Sequence, residues 1–178
     1  MSDLASLTKA LNFAAQKHVD QRRKGKSAEP YINHIIEVAN LLAENNAPFA
    51  AVMAGALHDT IEDTGTTHAE LKCAFGENVA EIVHECTDDK SLPKQERKRL
   101  QAENAAHKSD AARMVKIADK ISNLRSILAS PPADWSGARK LEYFIWAKSV
   151  VDNCRGLNEG LEREFDKTYK IGVDKFKP

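Results

Sequence analysis

Apolar positions along the chain recur with a helical period. Leu4, Leu7, Leu11, Ala14 and Ala15 fall on one face with polar residues between them, predicting a first helix that runs to about His18. Pro30, whose fixed φ suits a first helical turn, opens a second helix over about 30–45, with Ile32, Ile35, Val38, Leu41 and Leu42 as its apolar stripe. Pro48 opens a third in the same way. Its run Phe49 to Leu57 is apolar nearly all round, which marks a helix at the centre of a domain, and the pattern carries it on into His58-Asp59-Thr60-Ile61-Glu62-Asp63. Gly65 breaks that helix, Thr67-His68-Ala69-Glu70 has capping-box spacing for the next, and Gly76 ends it. Further helical patterns cover about 77–87, 93–106 and 109–128, then Pro131-Pro132 turns the chain before two helices near 136–155 and 157–170. With no alternating strand pattern, repeat or linker, the expectation is one all-α domain over residues 1–178, a bundle of roughly nine or ten helices.

Composition narrows the function classes. The 178 residues are 42% hydrophobic and 29% charged, enough for one ordinary core. Lys plus Arg and Asp plus Glu number 26 each, so the net charge of 0 argues against a chain that coats nucleic acid through its overall field. Any phosphate-binding patch must be local. The longest uncharged apolar stretch, Ala47 to Leu57, falls well short of the about 18 residues a membrane span needs, and Asp3 and Lys9 interrupt a signal-peptide pattern. A cytoplasmic protein with no nucleic-acid or membrane partner is expected. Cys73, Cys86 and Cys154 form no C-x-x-C pair and read as reduced packing thiols.

The chemistry concentrates where the apolar helix ends. On a continuous helix, His58 and Glu62, and Asp59 and Asp63, are four residues apart and form two adjacent rows. Unpaired buried carboxylates are costly, and a divalent cation such as Mn²⁺, Fe²⁺ or Zn²⁺, held by imidazoles and carboxylates, would neutralise them. A His-Asp pair alone is more often a cap or surface feature. A second acid in a matching setting raises its weight: in Lys116-Ile117-Ala118-Asp119-Lys120-Ile121-Ser122-Asn123-Leu124, Asp119 and Asn123 share a helix face. The basic run Arg22, Arg23, Lys24 and Lys26 would ordinarily be solvated. His18, His68, His84 and His107 read as surface or packing residues, and Trp135 and Trp146 as core.

Taken together, Arg23-Lys24, Pro30 to His34, His58 to Thr64, Lys116 to Lys120 and Asn123-Leu124 resemble, in order, the HD-type alarmone hydrolase domain of the RelA/SpoT family. Thr87 to Lys94 and Glu142-Tyr143-Phe144 with Trp146 extend the likeness to the stand-alone hydrolases typified by the metazoan SpoT homologue, over nearly the whole chain. The resemblance implies hydrolysis of the 3′ ester of guanosine 3′,5′-bis(diphosphate), ppGpp, or its pentaphosphate relative, releasing pyrophosphate and GDP or GTP. With no room for a synthetase domain, this chain would only degrade the alarmone. The resemblance also implies metal ligands at His34, His58, Asp59 and Asp119, with Mn²⁺ as the metal, and a catalytic pair at Glu62 and Asp63. It places substrate contacts at Arg23, Lys24, Asn123, Arg139 and Tyr143. Ile35 departs from the proline that usually follows the ligand histidine, and Ser27-Ala28-Glu29 departs from a glycine-bearing loop. Two alternatives stay open: a phosphatase for another ribose-phosphorylated nucleotide such as NADPH, and a non-catalytic helical nucleotide-binding protein. Assembly as a homo-oligomer is left open.

Overall fold

A computed structural model describes residues 2–177. Its helices are α1 (Asp3–Lys17), α2 (Ile32–Glu44), α3 (Phe49–Gly55), α4 (Thr60–Asp63), α5 (His68–Phe75), α6 (Glu77–Cys86), α7 (Lys94–Asn104), α8 (Asp110–Ala129), α9 (Gly137–Asp152) and α10 (Glu159–Phe176), with a 3₁₀ turn at Ala105–His107. Among the described residues the sole β pairing is an isolated antiparallel bridge between Arg22 and Pro30, which pinches the basic loop. The all-α expectation holds. No described helix is long and apolar enough to cross a membrane.

Side chains that satisfy free amides set half of the described helix starts. Ser109 Oγ accepts from Ala112 N at 3.3 Å before α8, Ser136 Oγ from Arg139 N at 3.2 Å before α9, and Asn158 Oδ1 from Leu161 N at 3.1 Å before α10. The capping box forms only by half: Thr67 Oγ1 accepts from Glu70 N at 3.2 Å, while the Glu70 carboxylate pairs with Lys17 at 3.0 Å instead of turning back. Gly76 adopts φ 89°, the left-handed region that ends α5 and starts α6. α10 runs past its predicted end near 170 because Phe176 packs its ring edge-on against Phe144, 5.7 Å away.

The long α8 is the axis of the molecule, with α2, α3, α6, α9 and α10 packed around it. Val115, Ile117, Ala118, Ile121 and Leu124 on α8 are fully buried, and Lys116, Asp119, Lys120 and Ser122 among them are nearly so. A core helix that carries four buried polar residues needs partners for each, and those partners build the site. Cys86 and Cys154 are buried in the same region, and burial pushes the Cys86 thiol up to about 12. Cys73, expected to pack, is exposed, because the face of α5 turned to the core is marked by Leu71.

The structure corrects one element that matters for the chemistry. The helix from Pro48 does not continue to Asp63: α3 ends at Gly55, residues 56–59 form a turn, and α4 is a separate single turn. The bonds Leu57 N to Ala54 O (3.0 Å) and Thr60 N to Leu57 O (2.9 Å) tighten the chain there, while the His58 side chain donates to Gly55 O at 2.9 Å. Thr60 Oγ1 donates to Leu57 O at 2.7 Å. Side chains that bond nearby carbonyls offer the backbone an alternative to the α ladder. The two tidy rows expected of His58/Glu62 and Asp59/Asp63 are thereby replaced by a bend, with His58 and Asp59 on the turn and the other two acids on α4.

Candidate active site

Three elements meet at the bend. His34 comes from the first turn of α2, His58 and Asp59 from the turn after α3, and Asp119 from the middle of α8. The donor atoms of His34, His58 and Asp59 all lie within 4.8 Å of one another. His34 Nε2 stands 3.4 Å from Asp119 Oδ1 and 3.6 Å from Asp59 Oδ2, and His58 Nε2 stands 3.0 Å from Asp59 Oδ2 and 3.8 Å from Asp119 Oδ1. None of these contacts has hydrogen-bond geometry, so both Nε2 atoms are buried without a partner.

The opposite ring nitrogens explain that orientation. His58 Nδ1 can only donate to the Gly55 carbonyl. Ser122 Oγ gives its proton to Glu37 Oε2 at 2.5 Å and so accepts from His34 Nδ1 at 2.8 Å. Each imidazole, when neutral, therefore aims a bare Nε2 lone pair at the two carboxylates, the outer arrangement that orients a metal-binding histidine. Two orphaned imidazole nitrogens facing the carboxylates of half-buried Asp59 and buried Asp119 fit a divalent cation, and Ile35 in place of proline leaves the His34 position intact.

The electrostatics agree. Burial opposes charge on His58, but Asp59 and then Asp119 outweigh it and raise its pKa to about 10. Burial likewise disfavours ionised Asp59 and Asp119. The imidazoles beside Asp59, and Lys120 together with the imidazoles beside Asp119, hold both carboxyls well below the usual range. A proton shared among these groups occupies the electrostatic place a cation would take.

Glu62 and Asp63 lie beside this cluster, each tethered from outside it. Glu62 Oε2 accepts from the Asp88 backbone N–H at 3.0 Å, and burial, opposed by that bond and reinforced by Asp59, raises its pKa. Asp63 Oδ2 accepts from Gln21 Nε2 at 2.8 Å, and its Oδ1 from Lys90 Nζ. Tyr31 donates to Asp59 Oδ2 at 2.6 Å. Gln21 lies outside the motifs legible in the sequence, and Tyr31, Lys90 and Ser122 lie inside them with no role that sequence alone assigns. For Tyr31 and Gln21 a signal existed, since both flank the basic loop that the motif had already picked out.

Above the cluster opens a cavity of about 610 Å³, walled by Asp59, Glu62, Asp63 and Asp119 at one end and bordered by Arg23, Lys24, Asn123, Arg139 and Tyr143. Every residue expected at the site except the two buried imidazoles borders this one cavity. Arg23 donates to Asn123 Oδ1 at 3.1 Å and lies 5.7 Å over the Tyr31 ring, so the basic loop is braced against α8. Trp135 and Trp146, expected in the core, line the cavity instead while also packing on the core. Tyr143 sits between them, with ring centroids 5.6 and 5.1 Å away, and Lys98 and Lys120 lie over Trp146 at 4.7 and 4.6 Å. Lys90 and Lys94, from the Thr87 to Lys94 motif, join Arg97 and Lys98 in a second basic wall that their sequence positions do not reveal. His68 and His84 pack ring to ring 5.6 Å apart, with His68 Nε2 3.1 Å from Glu81, and neither borders the cavity.

Comparison with known proteins points the same way. Residues 10–148 match the family model described as HD domain. The chain is 49% identical over 170 residues to the guanosine-3′,5′-bis(diphosphate) 3′-pyrophosphohydrolase MESH1 of Xenopus tropicalis, covering 94% of this chain and 95% of that one. It is 47% identical over 171 residues to the protein of the same name from Homo sapiens, with 95% and 96% covered. A solved structure described as a metazoan ortholog of SpoT that hydrolyses ppGpp superposes with TM-score 0.89 at 44% identity, over 94% of this chain and 95% of its own. The chain belongs to the HD-domain family and, within it, is a homologue of the RelA/SpoT hydrolases.

Proposed function

We propose that this chain is a metal-dependent guanosine-3′,5′-bis(diphosphate) 3′-pyrophosphohydrolase. The observation that carries the reading is the pair of buried, partnerless imidazole nitrogens aimed at Asp59 and Asp119 beneath a cavity rimmed with cations. The likeness to the hydrolases named above, at nearly full length, supplies the substrate. His34, His58, Asp59 and Asp119 would hold the divalent ion, and Mn²⁺ is the ion proposed. When bound, such a cation supplies Lewis-acid polarisation and an activated water.

The chain's own groups do the rest. Water adds to the phosphorus on the ribose 3′ oxygen, the bond from phosphorus to that oxygen breaks, and GDP and pyrophosphate leave, with the water's protons shared between the products. Glu62 and Asp63 would take the attacking water's proton, and the burial that raises the Glu62 pKa makes it a better proton acceptor than an exposed glutamate. Arg23, Lys24 and the α7 cations offset the repulsion between these carboxylates and the substrate phosphates. Trp135 and Tyr143, rings tilted 48° to one another, would offer the purine aromatic surface, with Arg139 lying 4.7 Å from the Trp135 ring.

The test is incubation of the purified protein with ppGpp and Mn²⁺, with products resolved by anion exchange. GDP and pyrophosphate are expected. Intact ppGpp, with phosphate released from NADPH or another ribose-phosphorylated nucleotide in parallel reactions, would overturn the substrate.

A further inference from the structure

His18 closes α1 and is 2% exposed, yet nothing in the reaction described above uses it. Its Nδ1 lies 2.5 Å from Gln21 Oε1, and Gln21 Nε2 donates to Asp63 Oδ2 at 2.8 Å. An ionised carboxylate only accepts, so the Gln21 amide must present its N–H₂ to Asp63 and its carbonyl oxygen to His18. That carbonyl oxygen in turn requires a proton on His18 Nδ1. The His18 ring lies against Tyr31, centroids 5.2 Å apart and planes 34° from parallel, and its Nε2 is buried without a partner. The Gln21 backbone is pinned as well, its N donating to His18 O and its O accepting from Tyr31 N, both at 3.0 Å.

We infer that His18 is a positioning residue for the reaction: its Nδ1–H locks the Gln21 side-chain amide in the one orientation that donates to Asp63. If the amide turned over, its carbonyl oxygen would face the Asp63 carboxylate, and Asp63 would lose the bond that fixes one oxygen while Lys90 holds the other. The inference rests on the role proposed for Asp63. It assigns His18 no contact with substrate or metal.

Asparagine carries an N–H on the atom bonded to Cγ, as His18 carries Nδ1, so His18→Asn keeps the donor and His18→Leu removes it. Loss of one hydrogen bond that orients a reacting group predicts that His18→Leu and Gln21→Leu each lower kcat by about fivefold to tenfold, with KM for ppGpp and bound metal unchanged. The double variant should be no slower than either single one, because both remove the same link, and His18→Asn should stay within about threefold of wild type. Losses that multiply in the double variant, a loss carried by KM or metal content, or His18→Asn as slow as His18→Leu would each overturn the inference. Should His18→Leu not fold, His18→Asn against Gln21→Leu decides: equal kcat loss in both overturns it, and loss in Gln21→Leu alone supports it. Wild-type protein inactive on ppGpp in the same assay would instead sink the proposed function.

Discussion

Lys120 Nζ donates to Asp119 Oδ2 at 2.8 Å, with the lysine 3% exposed and its ammonium 4.6 Å from the Trp146 ring centroid. Two residues adjacent on α8 thus form a buried ion pair whose acid also faces both site imidazoles. Burial works against the lysine's charge, and Asp119 overrides it, keeping Lys120 protonated. Removing one partner of such a pair strands the other. Lys120→Met should destabilise the metal-free protein by about 3–5 kcal/mol, and by clearly less when a divalent ion is present to neutralise Asp119. Thermal melts with and without metal check this, and an equal loss in both would contradict it.

Asp119→Ala breaks the pair from the other side. Lys120 is left buried without its carboxylate, and His34, His58 and Asp59 are left as three donors in place of four. Bound metal should fall and the fold should weaken together. Metal analysis of the purified variant against wild type is the measurement, and unchanged metal content would show that Asp119 is not a ligand.

Proton and metal occupancy should trade places with pH. In the metal-free protein His58 is raised from 6.5 to about 10, so its protonation stabilises the fold fully below 6.5 and that contribution is lost as the pH climbs toward 10. Asp59 and Asp119 are held well below 3.8, so their contribution is present above that value and lost only in stronger acid. The melting temperature of chelated protein should therefore fall between pH 6.5 and 10. Saturating Mn²⁺ should flatten that fall, because the cation replaces the proton. Parallel curves with and without metal would refute the exchange.

Activity should vanish with chelator and return with Mn²⁺ better than with Mg²⁺, since imidazole donors suit Mn²⁺ better than the harder ion. Full turnover in EDTA by protein free of transition metal would rule out the metal site.

The parts of this arrangement that the sequence exposed share one property: they are local in the chain. The stripe Ile32, Ile35, Val38, Leu41 and Leu42 names α2's buried face by spacing alone, and Thr67, Gly76 and the Pro131-Pro132 pair mark helix ends through their own backbone chemistry. The proposed ligand set, His34, His58, Asp59 and Asp119, is the exception, legible because its order along the chain matches a family pattern. What escaped depends on contacts across the fold. The break at residues 56–59 follows from His58 donating back to Gly55, an alternative that periodicity does not register. Gln21 meets Asp63, Tyr31 meets Asp59 and Ser122 meets His34 across 42, 28 and 88 residues. Trp135 and Trp146 serve both core and cavity, and an apolar pattern cannot say which side of a ring is wet.

The division of labour between the acids and the basic loop gives the sharpest kinetic test. Glu62 is held by the Asp88 amide and Asp63 by Gln21 and Lys90, all protein groups outside the imidazole cluster, so Glu62→Gln and Asp63→Asn should keep both metal and fold. If the two acids manage the water's proton, kcat in each should drop by roughly 10²- to 10⁴-fold. KM should hold or fall, because a negative charge beside the phosphates has gone. Arg23, braced by Asn123 and facing the cavity, should show the converse: Arg23→Ala removes a cation that attracts the nucleotide in ground and transition states alike, so KM should rise much more than kcat falls. Steady-state kinetics on the three variants with ppGpp separates the roles. Wild-type kcat in both carboxylate variants would refute the catalytic pair, and an unchanged KM in Arg23→Ala would remove the basic loop from the substrate site.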